Sequence, residues 1–325
     1  MNNSVRRIGV FTSGGDAPGM NAAVRAVVRT CIHEGIECVG IRRGYQGLIR
    51  GDISVMEPDS VSRIINRGGT MLYTARSKEF MERSGLERAV DTCKLLGLDG
   101  IVAIGGDGTF RGLQTLSKHG ICVVGIPGTI DNDIPCTDYT IGFDTAVNTA
   151  VECIDRLRDT MQSHERCSVV EVMGRNAGYL ALAVGLSVGA TAVVVPEEQY
   201  DFQTHVAEKI RRARLSGRTN FMIVVAEGAA SAMEVGGQIR SELGLDPRVT
   251  ILGHIQRGGD PTAKDRIMAT RMGYEAVDVL LAGRTNRVIC ARGEQVVDVD
   301  IDEGLAMHKA LNSEESEVME CMSGV

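Results

Sequence analysis

The chain has 325 residues, with 43% hydrophobic and 24% charged side chains, a globular balance that excludes a disordered, collagenous or membrane-embedded protein. Its 35 Lys and Arg against 42 Asp and Glu give a net charge of −7; polyanions are repelled overall, which excludes a general nucleic-acid or membrane-surface binder and leaves any anionic ligand to a local cluster of arginines. At roughly 150 residues per domain the length fits two domains or one large α/β unit, and 39 glycines, well above the usual ~7%, announce many turns or close backbone approaches.

In chain order, short apolar runs read as strands: RIGVF (7–11), ECVGI (37–41), GIVAI (100–104), ICVVGI (121–126), SVVEV (168–172), TAVVV (191–195), FMIVVA (221–226) and RVICA (287–291). Between them, helical periodicity covers 20–34, 83–96, 143–163, 204–216 and 263–282, with Gly35, Gly97, Gly217 and Gly283 as helix stops. Uninterrupted apolar strands alternating with helices predict an α/β fold of two doubly wound domains, each with a largely parallel sheet flanked by helices, and a boundary near TIGFD (140–144). The uncharged stretch 176–196 is long enough to span a membrane, but it divides into a helix-like ALAVGLSVG and a strand-like TAVVV, which favours a buried helix and strand. The nine cysteines are odd in number without a C-x-x-C pair, and the N-terminus runs into a strand rather than an apolar leader. Reduced thiols and a cytoplasmic location are expected.

Three strands empty into glycine turns: TSGGDAPGMNAAVR (12–25), GGDGT (105–109) and PGTIDND (127–133). Each presents backbone N–H groups and a helix start where phosphate could lie. None is the dinucleotide fingerprint or the Walker A loop, so a dehydrogenase on this architecture is disfavoured. Three such turns, each with an aspartate, look like a phosphate and Mg²⁺ site. Asp131, Asn132 and Asp133 in isolation read as a turn; in these surroundings two carboxylates suit the two tasks of a kinase, metal binding and proton removal from a hydroxyl. Arg166, Arg175, Arg248, His254 and Arg257 lie near strand ends or glycine turns, where an arginine fork suits a phosphate monoester, and Glu227 after FMIVVA could accept sugar hydroxyls or serve as a helix N-terminal acid.

With NRGGTMLYTAR (66–76), TIGFDTA (140–146), RLRDT (156–160), EVMGR (171–175) and GHIQRGG (253–259) added to these strings, the sequence closely resembles the ATP-dependent 6-phosphofructokinase family of bacterial type, from about residue 6 to about 300. The resemblance implies a larger, ATP-binding domain of 1–140 plus 255–303, a smaller, sugar-phosphate-binding domain of 141–254 plus 304–325, and a homotetramer whose active sites are shared between subunits. It places Gly15, Tyr45, Arg76, Ser77, Gly106, Asp107, Gly108 and Thr109 at ATP, and Asp107 and Asp133 at Mg²⁺. Thr129, Asp131, Met173, Gly174, Arg175, Glu227, His254 and Arg257 fall at fructose 6-phosphate, with Arg166 and Arg248 supplied by the neighbouring subunit. Asp131 becomes the general base, and Thr129, Arg76 and Arg175 complete the catalytic set. Gly108 and Gly128 stand where a pyrophosphate-dependent relative carries Asp and Lys, so ATP is the expected donor. A non-catalytic regulatory relative would be expected to lack one of Asp107, Asp131 and Asp133, and all three are present. Arg25, Arg29, Arg158 and Arg218 match a second, effector pocket, in which Arg63 and Thr191 replace acids and Ser216 replaces a base; weak ADP activation is the expectation.

Overall fold

The computed structural model describes residues 5–164 and 166–323. The chain divides into two compact units, each described by itself. Unit 1 takes the described residues through Thr129, then Ile134–Asp144 and Arg257–Lys309; unit 2 takes Ile130–Asp133, the described residues of Thr145–Gln256, and those from Ala310 onward.

Unit 1 contains β1 (Arg7–Thr12), α1 (Met20–His33), β2 (Glu37–Ile41), α2 (Gly44–Arg50), β3 (Ile53–Val55), α3 (Arg83–Leu95), β4 (Gly100–Gly105), α4 (Asp107–Lys118) and β5 (Val123–Pro127). Unit 2 follows with α5 (Phe143–His164, its first residues still in unit 1), β6 (Cys167–Val172), α6 (Tyr179–Val188), β7 (Ala192–Val194), a π-turn at Gln203–Ala207 running into α7 (Glu208–Leu215), β8 (Phe221–Ala226), α8 (Ala232–Leu243) and β9 (Arg248–Ile251). The chain then returns to unit 1 for α9 (Ala263–Leu281), β10 (Arg287–Arg292), β11 (Gln295–Asp300) and α10 (Ile301–Ala306); α11 (Ser313–Ser323) packs on α6 in unit 2.

The seven-stranded sheet of unit 1 has the order β11-β10-β5-β4-β1-β2-β3; its five inner strands are parallel and only the edge strands β3 and β11 run antiparallel. The inner strands β4 and β5 are buried end to end and β1, β2 and β10 except at their ends, because helices cover both faces, which explains their Val, Ile and Ala content. Helix α1 and helix α9 pack closely: a Cβ on Gly273 would stand 2.5 Å from Ala26 Cβ, so only hydrogen fits at the crossing. The sheet of unit 2, β7-β8-β6-β9, is wholly parallel. The expected fold class is therefore observed, and Gly35, Gly97, Gly217 and Gly283 close their helices at φ of 72, 61, 85 and 73°. Residues 176–196 hold the ten-residue α6 and the three-residue β7. No described helix is long and apolar enough to cross a membrane.

In unit 1, strand order reverses between β1 and β4, and in unit 2 it reverses at β6, between β8 and β9. Ligands of such sheets sit beyond the carboxyl ends of the strands at these points.

Candidate active site

Beyond the carboxyl ends of β1, β4 and β5, the three glycine turns meet. Ser13 N–H donates to Ile104 O at 3.0 Å, and Thr109 Oγ1 donates to Ser13 O at 3.3 Å. A Cβ on Gly105 would come within 2.5 Å of Ser13 O, so the first two turns are pressed backbone to backbone and glycine is required there by contact. The third turn joins them through Thr129, whose Cβ would lie 3.8 Å from a Cβ on Gly106. Thr74 Oγ1 donates to Gly14 O at 2.6 Å and ties the NRGGT loop to the first turn, and Asn21 fastens the same loop to α1 through Arg67 O, Gly68 O and Met71 N.

Gly15, Gly106, Asp107, Gly108 and Thr109 are thus brought together in unit 1. Asp107 opens α4, where the positive end of the helix favours an anion, and it accepts from Arg111 Nε at 2.8 Å. That Arg111 partner is largely exposed, so the pair is held loosely. Beyond Gly108 there is open space, because a Cβ there would meet nothing within 4 Å. Arg76 is exposed, and Ser77 donates to Gln46 Oε1 at 2.9 Å. Tyr45 is largely buried, stacked on Phe80 and edge-on to Phe11, and its hydroxyl donates to Thr109 O at 2.5 Å. It supports the second turn from beneath. Arg257 sits on the first turn, with Nη1 donating to Asp16 O at 3.2 Å and only 2.7 Å from where a Gly15 Cβ would stand.

Unit 2 gathers the second group. Asp131 is 1% exposed, and its Oδ2 stands 3.4 Å from Arg175 Nε. Arg175 follows β6 in the strings Met173, Gly174, Arg175; its backbone N–H donates to Glu227 Oε1 at 2.9 Å. Gly228 lies against Arg175 O so tightly that a Cβ would be 1.9 Å away. Both Asn132 (φ 51°) and Arg175 (φ 53°) hold left-handed backbone, which asparagine accepts readily and arginine does not. The Met173 N–H donates to Gln256 Oε1 at 3.4 Å, and Gln256 Nε2 donates to Gly253 O at 3.1 Å. Gln256 is fully buried and was not singled out from sequence; its only sign is an amide inside GHIQRGG. His254, two residues earlier, is exposed. Asp133 is half-buried; near it, burial first, then Glu197 and Asp133 itself, push the Tyr179 phenol up to about 12.

Arg166 and Arg248 are not part of this group. They stand at the amino ends of β6 and β9, where Ser168 pairs with Arg248, whereas Met173 to Arg175, Glu227 and His254 follow the carboxyl ends. Six strand residues at about 3.3 Å each separate the two edges by about 20 Å. There the two arginines share Asp246, 3.6 Å from Arg248, whose carboxyl is held below its usual range first by Arg240 and then by Arg248 and Arg166.

Of the effector candidates, Arg25 and Arg29 lie on α1, with Arg29 donating to Pro58 O; Arg63 is exposed at φ 58°. Arg158 lies on α5 and donates to Val188 O, and Arg218 is exposed after the Gly217 stop. Thr191 is buried and occupied by strand pairing, its Oγ1 accepting from Met222 N–H at 3.2 Å.

Comparison with known proteins gives one consistent result. The model of the family described as Phosphofructokinase matches residues 7–280. The ATP-dependent 6-phosphofructokinase of Clostridium botulinum (strain Loch Maree / Type A3) is 52% identical over 310 residues, 95% of this chain and 97% of its own. That of Shouchella clausii (strain KSM-K16) is likewise 52% identical over 310 residues, with the same coverage of both chains. Among solved structures, phosphofructokinase from Saccharomyces cerevisiae superposes with a TM-score of 0.86 at 33% identity, over 98% of this chain and 46% of that one; this chain spans about half of it. The pyrophosphate-dependent phosphofructokinase from Nitrosospira multiformis has a TM-score of 0.86 at 21% identity, over 98% of this chain and 91% of that one, a likeness of fold alone.

Proposed function

Since the chain belongs to the phosphofructokinase family, we propose that it transfers the γ-phosphoryl group of ATP to the 1-hydroxyl of fructose 6-phosphate, giving fructose 1,6-bisphosphate and ADP. The observation that carries the mechanism is the buried Asp131 carboxylate 3.4 Å from the Arg175 guanidinium. Asp131 takes the proton from the attacking hydroxyl as its oxygen approaches phosphorus; Arg175, with Arg76, offsets the charge that develops on the transferred group. Thr129, at the junction of the second and third glycine turns, orients the acceptor. The turns at Gly15 and 106–109 hold the nucleotide phosphates by backbone N–H groups, and the open space at Gly108 supports a donor larger than pyrophosphate.

Among the described residues no three acidic, His or Cys side chains form a metal cage. Mg²⁺ as kinases use it needs no such cage, since one or two carboxylates plus substrate phosphates hold it. Asp107, half exposed on the α4 N-terminus with only a loose arginine partner, would hold it, with Asp133 as the second candidate. The ion supplies neutralisation of phosphate charge during transfer.

Met173, Gly174, Glu227, His254 and Arg257 serve the sugar phosphate. Arg166 and Arg248 serve it from a second copy of the chain: at the opposite strand edge of unit 2 they are about 20 Å from Met173 and beyond reach of a ligand held there. This supports an oligomer with shared sites, a homotetramer by family resemblance; the nine cysteines without a C-x-x-C pair support a cytoplasmic location. Purified protein given fructose 6-phosphate and Mg²⁺ with ATP, GTP or pyrophosphate tests the reading. ATP is expected to yield ADP and fructose 1,6-bisphosphate; comparable turnover with pyrophosphate, or none with ATP, would overturn it.

A further inference from the structure

Among charged side chains in unit 1, Asp265 stands out: it is 0% exposed, three residues into α9. Its Oδ1 accepts from Tyr139 OH at 2.5 Å and from Gly142 N–H at 2.7 Å, and its own N–H donates to the helix-capping Thr262 Oγ1 at 3.3 Å. The α9 N-terminus, whose dipole favours an anion, therefore places a carboxylate where two donors of the segment 139–142 converge.

That segment reaches two of the three glycine turns. On one side Ile141 N–H donates to Pro127 O at 2.9 Å, Ile141 and Gly128 form a parallel bridge, and Thr140 Oγ1 donates to Thr129 O at 2.6 Å. On the other side a Cβ on Gly142 would lie 2.7 Å from Ala17 Cβ, and one on Gly19 would lie 2.6 Å from Ile141 Cγ2. The segment is thus wedged between the turn that follows β1 and the one that follows β5. Lys264 Nζ, 4.9 Å over the Tyr139 ring, covers it from the surface.

We infer that Asp265 is a positioning residue for phosphoryl transfer, acting through Tyr139–Gly142 to fix the 127–129 turn, and so Thr129 and the chain entering Asp131, against the turn at 17–19. The inference rests on the proposed kinase reading for its kinetic consequence but not for the brace itself, so two measurements separate them. Hydrogen exchange of the whole protein, read by mass spectrometry, reports the brace: in Asp265→Ala, amides of 127–131, 139–142 and 17–20 exchange at least tenfold faster while those of β6 and β8 keep their rates. Unchanged exchange in those segments overturns the inference whatever the substrate. Steady-state kinetics with ATP and fructose 6-phosphate report the consequence: kcat falls about 10- to 100-fold, the range expected for misplacement by about 1 Å. Asp265→Asn retains an acceptor oxygen for both donors and recovers most of kcat. Met272→Ala, a core truncation on the same helix, serves as the stability control; it lowers the melting temperature but keeps kcat per folded enzyme within twofold. An Asp265→Ala enzyme with kcat within twofold of wild type, or a Met272→Ala enzyme that loses as much, overturns the positioning role. Wild-type protein that makes no fructose 1,6-bisphosphate from ATP defeats the kinase reading instead, and the exchange result still decides the brace.

Discussion

Asp131→Asn separates the chemical role of this side chain from its structural one. The substitution keeps size and one acceptor oxygen but replaces the other, basic oxygen with an N–H donor. Loss of a positioned general base lowers kcat by roughly 10² to 10⁴, or about 3 to 5 kcal/mol of barrier. The effect on folding is much smaller. At 3.4 Å and an effective dielectric of about 20, the attraction between Asp131 and Arg175 is about 5 kcal/mol gross. Withdrawing a carboxylate that is 1% exposed from water costs several kcal/mol, and the arginine is 55% exposed and screened by solvent. The two offset, so the melting temperature should stay within roughly 4 °C of wild type. The KM for fructose 6-phosphate should change little, because the 1-hydroxyl contributes little to ground-state binding. Initial rates from a coupled assay of ADP release, with calorimetry on the same samples, measure both. A variant with near-normal kcat, or one that loses activity only by unfolding, would refute the assignment of Asp131 as base.

Gly108→Asp meets no steric obstacle, so its effect is electrostatic; KM for ATP should rise at least tenfold with fructose 6-phosphate binding preserved, as measured by calorimetric titration of the sugar phosphate. Gly228→Ala forces a methyl against Arg175 O and should raise KM for fructose 6-phosphate and lower the melting temperature by several degrees, an overpacking cost of about 1 to 3 kcal/mol; an unchanged KM would mean that the Arg175 loop has slack. Mixed and reassembled Arg248→Ala and Asp131→Ala subunits should regain activity that neither has alone, and no recovery would place each site within one chain. ADP titrated at sub-saturating fructose 6-phosphate should activate weakly, because Thr191 offers a strand-paired hydroxyl where an acid would hold metal; strong activation at micromolar ADP would contradict this.

The parts that were legible in sequence are those carried by contiguous strings. The inner parallel strands are buried on both faces and so read as unbroken apolar runs, and the glycine turns follow them directly. The strands β3 and β11 were not legible, because ISV is three residues long and QVVDVD alternates with aspartate at a half-exposed edge. In the site, Arg175 and Glu227 follow β6 and β8 at the carboxyl edge of one sheet, and Asp131 follows β5 of the other; each was legible as an acid or base just past an apolar strand. Arg166 precedes SVVEV and so already reads as lying at that strand's amino end, but Arg248 could not be placed from sequence, because its own strand β9, RVTI, is four residues long and half-exposed; the pairing of Ser168 with Arg248 places the two at one edge. Tyr45 reads as a ligand contact by resemblance, whereas its packing against Phe11 and Phe80 is a long-range fact. Asp265, in the polar string AKDR, resembles an ordinary surface acid until the fold brings Tyr139 and Gly142 to it.

The left-handed backbone at Arg175 sets this position against the stability of its own loop. An L-residue with a long side chain at φ 53° gives up about 1 kcal/mol relative to glycine, so Arg175→Gly would relax the backbone, but it would also delete the guanidinium that offsets the several kcal/mol of desolvation of the buried Asp131 carboxylate. Libraries screened only for melting temperature should therefore collect glycine at 175 only together with a neutral residue at 131, and so with inactivity, while libraries screened for turnover should keep both residues and recover stability elsewhere in the chain.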